Sequence, residues 1–307
     1  MKICDTHCDT LCRIADSGGD LFENKYHVSI KSLNKYEAFT QFFACFIDPL
    51  YNENALERFT KLSDAFFENM KMYSDTALHC ENYDDMVKAW NRGKTACFLS
   101  VENSSFIKKP DDVLMCRRKG IRLMSLVWNK DNHLASGAET QNDIGLTEIG
   151  KAVIRKMEDC GVFLDVSHMS DKSFYDACSV YGKPLVASHS NSRKVCDVKR
   201  NLTDEQFLTI IKSGGYVGVN LYPLFLTGIE KASVSDIIRH VEHFLGLGGE
   251  DTIGIGLDFD GVDYLPDGIN GVGEVDKIFD EMAKIGYNSM LIDKIAHKNL
   301  ERLLKFF

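Results

Sequence analysis

The chain has 307 residues, 44% of them hydrophobic and 26% charged, with a formal net charge of −9. This is an ordinary globular composition, with enough apolar material for a core that needs no disulfide or metal staple. The acidic balance excludes a nucleic-acid partner, which would need a basic surface, and suits an enzyme acting on a small substrate.

The opening Met1-Lys2-Ile3-Cys4-Asp5 turns polar before an apolar leader can form. Eight short apolar runs follow in chain order: Lys2–Thr6, Ala38–Ile47, Thr95–Val101, Arg122–Val127, Val162–Val166, Pro184–Ser188, Tyr216–Leu221 and Thr252–Leu257. Their continuous apolar character predicts strands buried on both faces. Helical periodicity lies between most of them. Tyr51–Cys80 carries Leu56, Phe59, Leu62, Phe66 and Met70 at three- and four-residue steps. Thr147–Cys160 and Thr203–Ser213 each open on a capping threonine and stop before glycine. Ser233–Leu247, Gly273–Ile285 and Asn288–Phe306 complete the predicted helices.

No apolar run approaches the ~20 residues of a membrane span, and no Pro/Ser-rich linker or low-complexity tract divides the chain. The expectation is a cytoplasmic protein with no membrane partner, built as one domain over residues 1–307. The 10 cysteines are scattered through apolar runs such as Ala44-Cys45-Phe46. They read as small buried hydrophobes, reduced in a reducing compartment. Cys4, Cys8 and Cys12 are evenly spaced, but the step matches no standard zinc pattern and no second CxxC pair exists.

Eight strands alternating with helices predict an α/β fold, a single (β/α)8 TIM-type barrel. The alternative is a doubly wound open sheet, which binds at one switch point. Polar residues instead cluster at the carboxyl ends of several predicted strands, where barrels build active sites. His7 and Asp9 follow the first run and, two apart on an extended chain, face one side. Glu102 ends the run from Thr95, His168 follows Val162–Val166, His189 follows Pro184–Ser188, and Asp258 follows Thr252–Leu257. Any one of these could be structural. Together they are the donor types for two metals about 3.5–4 Å apart, bridged by a carboxylate. Glu102 is the natural bridge, His7 and Asp9 complete one metal, and His168 and His189 the other. A water between two such dications ionises near neutral pH and becomes a nucleophile. Asp258 would act as general base and then as acid toward a leaving amine, kept ionised by nearby cations. Asp165, three residues before His168, reads as a supporting residue and not a ligand. His27, His79, His240, His243 and His297 fall in helix-like or loop segments as packing or solvated residues.

These residues resemble the membrane dipeptidase (renal dipeptidase) family of metallopeptidases. The matching pieces run over nearly the whole chain: Asp5-Thr6-His7-Cys8-Asp9, Ser100-Val101-Glu102, Gly145-Leu146-Thr147 through Gly161 to Asp165-Val166-Ser167-His168, Ser188-His189-Ser190-Asn191, Arg200-Asn201-Leu202, Asn220-Leu221-Tyr222 and Gly256-Leu257-Asp258-Phe259-Asp260-Gly261. In this order they are highly specific. The resemblance implies a metallo-dependent hydrolase-like barrel with two divalent metal ions, zinc foremost, that hydrolyses dipeptides through a metal-bridged hydroxide. A C-terminal D-residue is within that expectation, and so is a homodimer. Carried over by motif, His7 and Asp9 hold one ion, Glu102 bridges, and His168 and His189 hold the other. Asp258 meets the free amine, Arg200 holds the substrate carboxylate, and Tyr222 lines the pocket. A bidentate guanidinium–carboxylate pair makes the Arg200 role chemically sensible, although spacing alone leaves a plain surface arginine open. Ligand chemistry alone does not separate zinc from manganese, cobalt or iron.

One departure stands out. Trp128, in Leu126-Val127-Trp128-Asn129-Lys130-Asp131-Asn132-His133, occupies the place of a histidine that in mammalian members helps bind the reacting carbonyl. Indole cannot titrate near pH 7, so Asn129, Asn132 or a swung-in His133 would donate instead. Ser104 and Ser105 stand where the family commonly has glycine. Other two-metal barrel hydrolases, such as deaminases, lactonases or nucleases, usually open with His-x-His, whereas this chain has His7-Cys8-Asp9. A binding protein with a decayed site is disfavoured by the complete ligand set.

Overall fold

The computed structural model describes residues 1–306. Nine strands are present: β1 (Lys2–Asp5), β2 (Ala38–Phe46), β3 (Ala77–His79), β4 (Thr95–Glu102), β5 (Leu123–Ser125), β6 (Phe163–Asp165), β7 (Val186–Ala187), β8 (Tyr216–Val219) and β9 (Ile253–Ile255). Every pairing between them is parallel. The order β2-β1-β9-β8-β7-β6-β5-β4, closed by β2 on β4, makes an eight-stranded barrel. The β2–β4 register runs from Thr40–Ala96 to Phe46–Glu102, which places Glu102 level with the rim.

The expected eight runs are the barrel strands. β3 is the addition: it covers the start of one β4 edge, from Ala77–Thr95 to His79–Cys97, and β5 takes the same edge further on. It lay hidden in the predicted Tyr51–Cys80 helix. That segment is a 3-10 turn over Pro49–Asn54 and an α-helix over Ala55–Met72, and His79 is a strand residue rather than helical. A three-residue strand is too short to impose its own period against a long helical pattern.

Adjacent residues on seven of the strands join different cores, as a two-residue period requires. Cys4, Phe42, Phe98, Leu123, Phe163, Val186 and Tyr216 form one buried cluster, with Phe42 and Phe98 stacked at 4.6 Å. Leu300, Leu303 and Leu304 of the C-terminal helix (Asn299–Leu304) pack into the same cluster. Their neighbours Ile3, Phe43, Leu99, Met124, Leu164, Ala187 and Val217 join the larger core with helix residues such as Phe59, Leu62, Ile154 and Phe207. Interior and helix-facing layers are therefore both apolar, and polar side chains are left for the strand ends.

The capping threonines act as expected. Thr147 accepts from the Gly150 N–H, and Thr203 exchanges two bonds with Gln206. The predicted Asn288–Phe306 helix is divided by a wider π turn over Lys294–Lys298. All 10 cysteines are free, seven of them buried. No helix among the described residues is long and apolar enough to cross a membrane.

Candidate active site

The carboxyl ends of the strands deliver the polar residues to one place. Beyond β1 the chain stays extended: Cys8 N–H donates to Phe42 O (3.1 Å) and Ala44 N–H to Cys8 O (2.9 Å). On the other side Asp9 N–H donates to Phe259 O (2.9 Å) and Asp258 N–H to His7 O (3.2 Å). His7 and Asp9 thus reach the site together with Asp258, which adopts φ +63°, a region aspartate tolerates better than most residues. Asp5 ties this corner, its Oδ1 accepting from the His7 N–H (3.2 Å) and the Leu257 N–H (2.9 Å).

His7, Asp9, Glu102, His168, His189 and Asp258 are all buried. His7 Nε2 lies 3.4 Å from Asp9 Oδ2, 3.3 Å from Glu102 Oε2 and 3.7 Å from Asp258 Oδ1. The other Glu102 oxygen, Oε1, lies 2.6 Å from His168 Nε2 and 3.8 Å from His189 Nε2. The two oxygens of one carboxylate therefore face two groups of histidines. His168 Nε2 and His189 Nε2 point at each other across 2.8 Å.

This arrangement suits divalent cations. His7 Nε2 and Asp9 Oδ1 are buried without a hydrogen-bond partner among the described residues, and orphaned polar atoms in the interior are costly unless something binds them. Two sets of ligand atoms lie within coordinating reach of one another: His7, Glu102 and His189, and His7, Asp9 and Asp258. Neither includes a cysteine. Burial, then the Arg200 charge, depresses His168 to about 4. Burial, then His7, Arg200 and His168, holds His189 well below its usual value. Both imidazoles are neutral, as metal ligands must be. Among protein groups alone, burial pushes Asp258 up to about 8, with Asp9 and Glu102 adding to it and His7 opposing. Asn220 Nδ2 donates to Asp258 Oδ2 at 2.8 Å.

The cluster floors a cavity of about 590 Å³. Asp9, Glu102, His168 and Asp258 reach it from below, and Phe46, Trp128, Tyr222 and Phe225 wall it. Trp128 lies beside Phe46 (5.4 Å between rings) and His168 (6.1 Å). His7, His189 and Arg200 are set just behind the lining. Arg200 is 3% exposed. Its Nη1 donates to Ser190 Oγ (3.0 Å) and its Nη2 to His189 O (3.0 Å). Its Nε and Nη2 lie against His168 Nδ1 and Nε2, each at 3.1 Å. Burial lowers it to about 10, so it remains a cation at neutral pH. It makes no ion pair with a carboxylate among the described residues.

The loop after β5 is arranged differently from the sequence expectation. Asn129 lines the cavity, but its Oδ1 sits 2.8 Å from His168 Nδ1, so it engages a histidine. Asn132 is committed to Asn103 Oδ1 (2.9 Å) and Leu126 O (2.8 Å). His133 does not swing in: its Nε2 lies 2.6 Å from Ile107 O. Ser104 is buried, its hydroxyl donating to Ser125 O at 2.6 Å, which pins the loop after Glu102. Sequence reasoning named Asn220 only within a family motif and gave it no role, although its place just past β8 is the same strand-end signal. It also passed over Arg13 and Arg58, which line the cavity from helices. Arg58 is paired with Asp16, and Arg13 Nε donates to Asp260 O (3.0 Å).

The family model described as membrane dipeptidase (peptidase family M19) matches residues 1–306. An uncharacterised protein from the pqqA 5′ region of Klebsiella pneumoniae is 34% identical over 196 residues, 61% of this chain and 72% of that protein. An uncharacterised dipeptidase of Schizosaccharomyces pombe is 29% identical over 287 residues, 86% of this chain and 68% of that one. Among solved structures, a metallopeptidase from Rhodobacter sphaeroides liganded with a phosphinate mimic of L-Ala-D-Ala superimposes with a TM-score of 0.91. It is 23% identical, and the match covers 99% of each chain.

Proposed function

Because the chain belongs to the membrane dipeptidase family, peptidase family M19, we propose that it is a metal-dependent dipeptidase working at the carboxyl end of its barrel. The observation that carries the reading is the convergence of three imidazoles and three carboxylates beneath one cavity, with His7 Nε2 and Asp9 Oδ1 lacking a hydrogen-bond partner among the described residues. His7, Asp9, Glu102, His168 and His189 would hold two divalent ions, for which we propose zinc, with Glu102 shared between them. Such ions, when bound, supply Lewis acidity that lowers the pKa of water and polarises a carbonyl.

The protein groups divide the remaining work. Asp258 Oδ2 is held by Asn220, which leaves Oδ1 toward the cluster. A carboxyl pushed up to about 8 accepts and returns a proton near neutral pH, the property needed to serve the leaving amine. Arg200 presents a buried cation without an acid, which favours a substrate that brings a carboxylate. Tyr222, Trp128, Phe46 and Phe225 exclude water above the reacting centre. The cysteine usage supports a reducing, cytoplasmic location, and we extend the proposal to a homodimer, which sedimentation would test.

The experiment is hydrolysis of a panel of L,L and L,D dipeptides by purified protein, before and after chelation and zinc restoration. Cleavage lost with chelator and regained with zinc is expected. No cleavage by zinc-loaded protein would overturn the dipeptidase reading.

A further inference from the structure

The junction of β6 and β7 holds a buried polar chain that the reaction as described leaves unused. Asp165, the last residue of β6, is 3% exposed. Its Oδ1 accepts from Ser167 N–H (3.0 Å), Ser167 Oγ (2.6 Å) and Ser188 N–H (3.0 Å). Its Oδ2 accepts a very short hydrogen bond from Ser188 Oγ. Ser188 Oγ in turn lies 2.7 Å from His189 Nδ1. Both serines and His189 are fully buried or nearly so.

Counting protons decides the direction of the chain. A serine hydroxyl has one hydrogen to give. The carboxylate accepts only, so the Ser188 hydrogen goes to Asp165. Ser188 Oγ can then only accept from the ring, and the proton of neutral His189 sits on Nδ1. Nε2 is left bare, turned toward Glu102 Oε1 and His168 Nε2. The backbone around Ser188 is held just as tightly. Thr6 Oγ1 donates to the Ser188 carbonyl at 2.6 Å, and a side chain at either Gly218 or Gly256 would overlap that oxygen. Ser188 therefore has little freedom to choose other partners.

We propose that Ser188, backed by Asp165, is a positioning residue that fixes the tautomer and ring orientation of His189 so that its Nε2 lone pair faces the metal cluster. The inference rests on the reading of His189 as a ligand. Partners of this kind, held behind a ligating histidine, typically change metal affinity 10–100-fold when removed.

The test uses full-length protein loaded with zinc and titrated against a competing chelator. Ser188→Ala keeps the backbone contacts and removes the relay, and zinc affinity for one of the two ions is expected to fall ~10–100-fold. In parallel, two-bond 1H–15N spectra of 15N-histidine-labelled wild-type protein are expected to show His189 protonated at Nδ1, a measurement that needs no variant to fold. Wild-type affinity in Ser188→Ala, or a proton on His189 Nε2 in the chelated wild-type protein, would overturn the relay. His189→Ala separates the two levels. Loss of an ion there with unchanged affinity in Ser188→Ala refutes the relay alone, whereas retention of both ions refutes His189 as a ligand.

Discussion

Arg200→Ala is the most informative perturbation, because the guanidinium has two distinguishable jobs. Nη1 and one Nη2 hydrogen are anchored on Ser190 Oγ and His189 O. The Nε–Nη2 edge lies on the His168 ring, which as a neutral imidazole offers one acceptor nitrogen. A carboxylate on that edge would exchange one hydrogen bond from the guanidinium for a bidentate pair, and each such charge-assisted bond is worth about 1.5–3 kcal/mol. The net gain is about 1.5–3 kcal/mol, or roughly 10–150-fold in kcat/KM at ~1.4 kcal/mol per tenfold. The assay compares a dipeptide with its C-terminal amide on wild-type and variant enzyme, a cycle in which loss of packing behind His168 cancels. In the wild type the amide should be poorer by that factor, and in Arg200→Ala the two substrates should converge. If the variant slows both equally, Arg200 only supports His168. Arg13, on the cavity wall, would then be the carboxylate clamp to test next.

Three further outcomes are expected. Glu102→Gln removes the charge shared between the two histidine groups, so metal content measured by mass spectrometry after dialysis should fall from two ions toward one, with activity falling alongside; full content would remove Glu102 from the site. His240 is fully buried between the Ser192 N–H and the Leu226 carbonyl, and burial lowers it to about 4. Its contribution is complete above ~6.5 and is lost as pH falls toward 4, by about 3 kcal/mol in all and about 2 between pH 7 and 5. Denaturant unfolding at several pH values should show the wild-type advantage over His240→Gln shrinking by that amount, and a pH-independent difference would contradict it. Trp128→Phe keeps the ring and removes an indole N–H that makes no hydrogen bond among the described residues. If that group meets substrate, kcat/KM should drop about 2–12-fold, the value of one neutral hydrogen bond. No change would leave Trp128 as wall alone.

Much of this architecture was legible because barrel strands are buried on both faces. A continuous apolar run that ends in His, Asp or Glu marks both the strand and its functional end, and Glu102, His168, His189 and Asp258 were found that way. Arg13 and Arg58 were not, because they sit on helices where a charged residue is the default for a solvated face. Asn129 was assigned to substrate, and the structure turns it onto His168. That choice depends on where β5 and β6 stand relative to each other, which no local pattern records. β3 was lost for the opposite reason: its three residues continue an apolar pattern that the preceding helix had already established.

The charges of the site also argue for the size and kind of substrate. Asp9, Glu102 and Asp258 are buried around His7, whose basicity Glu102 and Asp9 raise against its burial, while His168 and His189 are neutral, a cluster that calls for cations. Arg200 is a buried cation against the His168 ring, with no ion-paired acid among the described residues. Negative and positive groups thus meet at one imidazole ring, Glu102 and Arg200 both within hydrogen-bonding distance of His168 Nε2. In the proposed reading, a free dipeptide would bring both complementary charges at short separation, its ammonium toward Asp258 and its carboxylate toward Arg200. A longer peptide would present a neutral amide at one of these positions and leave a buried charge unanswered, which is the costly case. Discrimination by chain length then follows from electrostatics, without a wall that blocks the longer substrate.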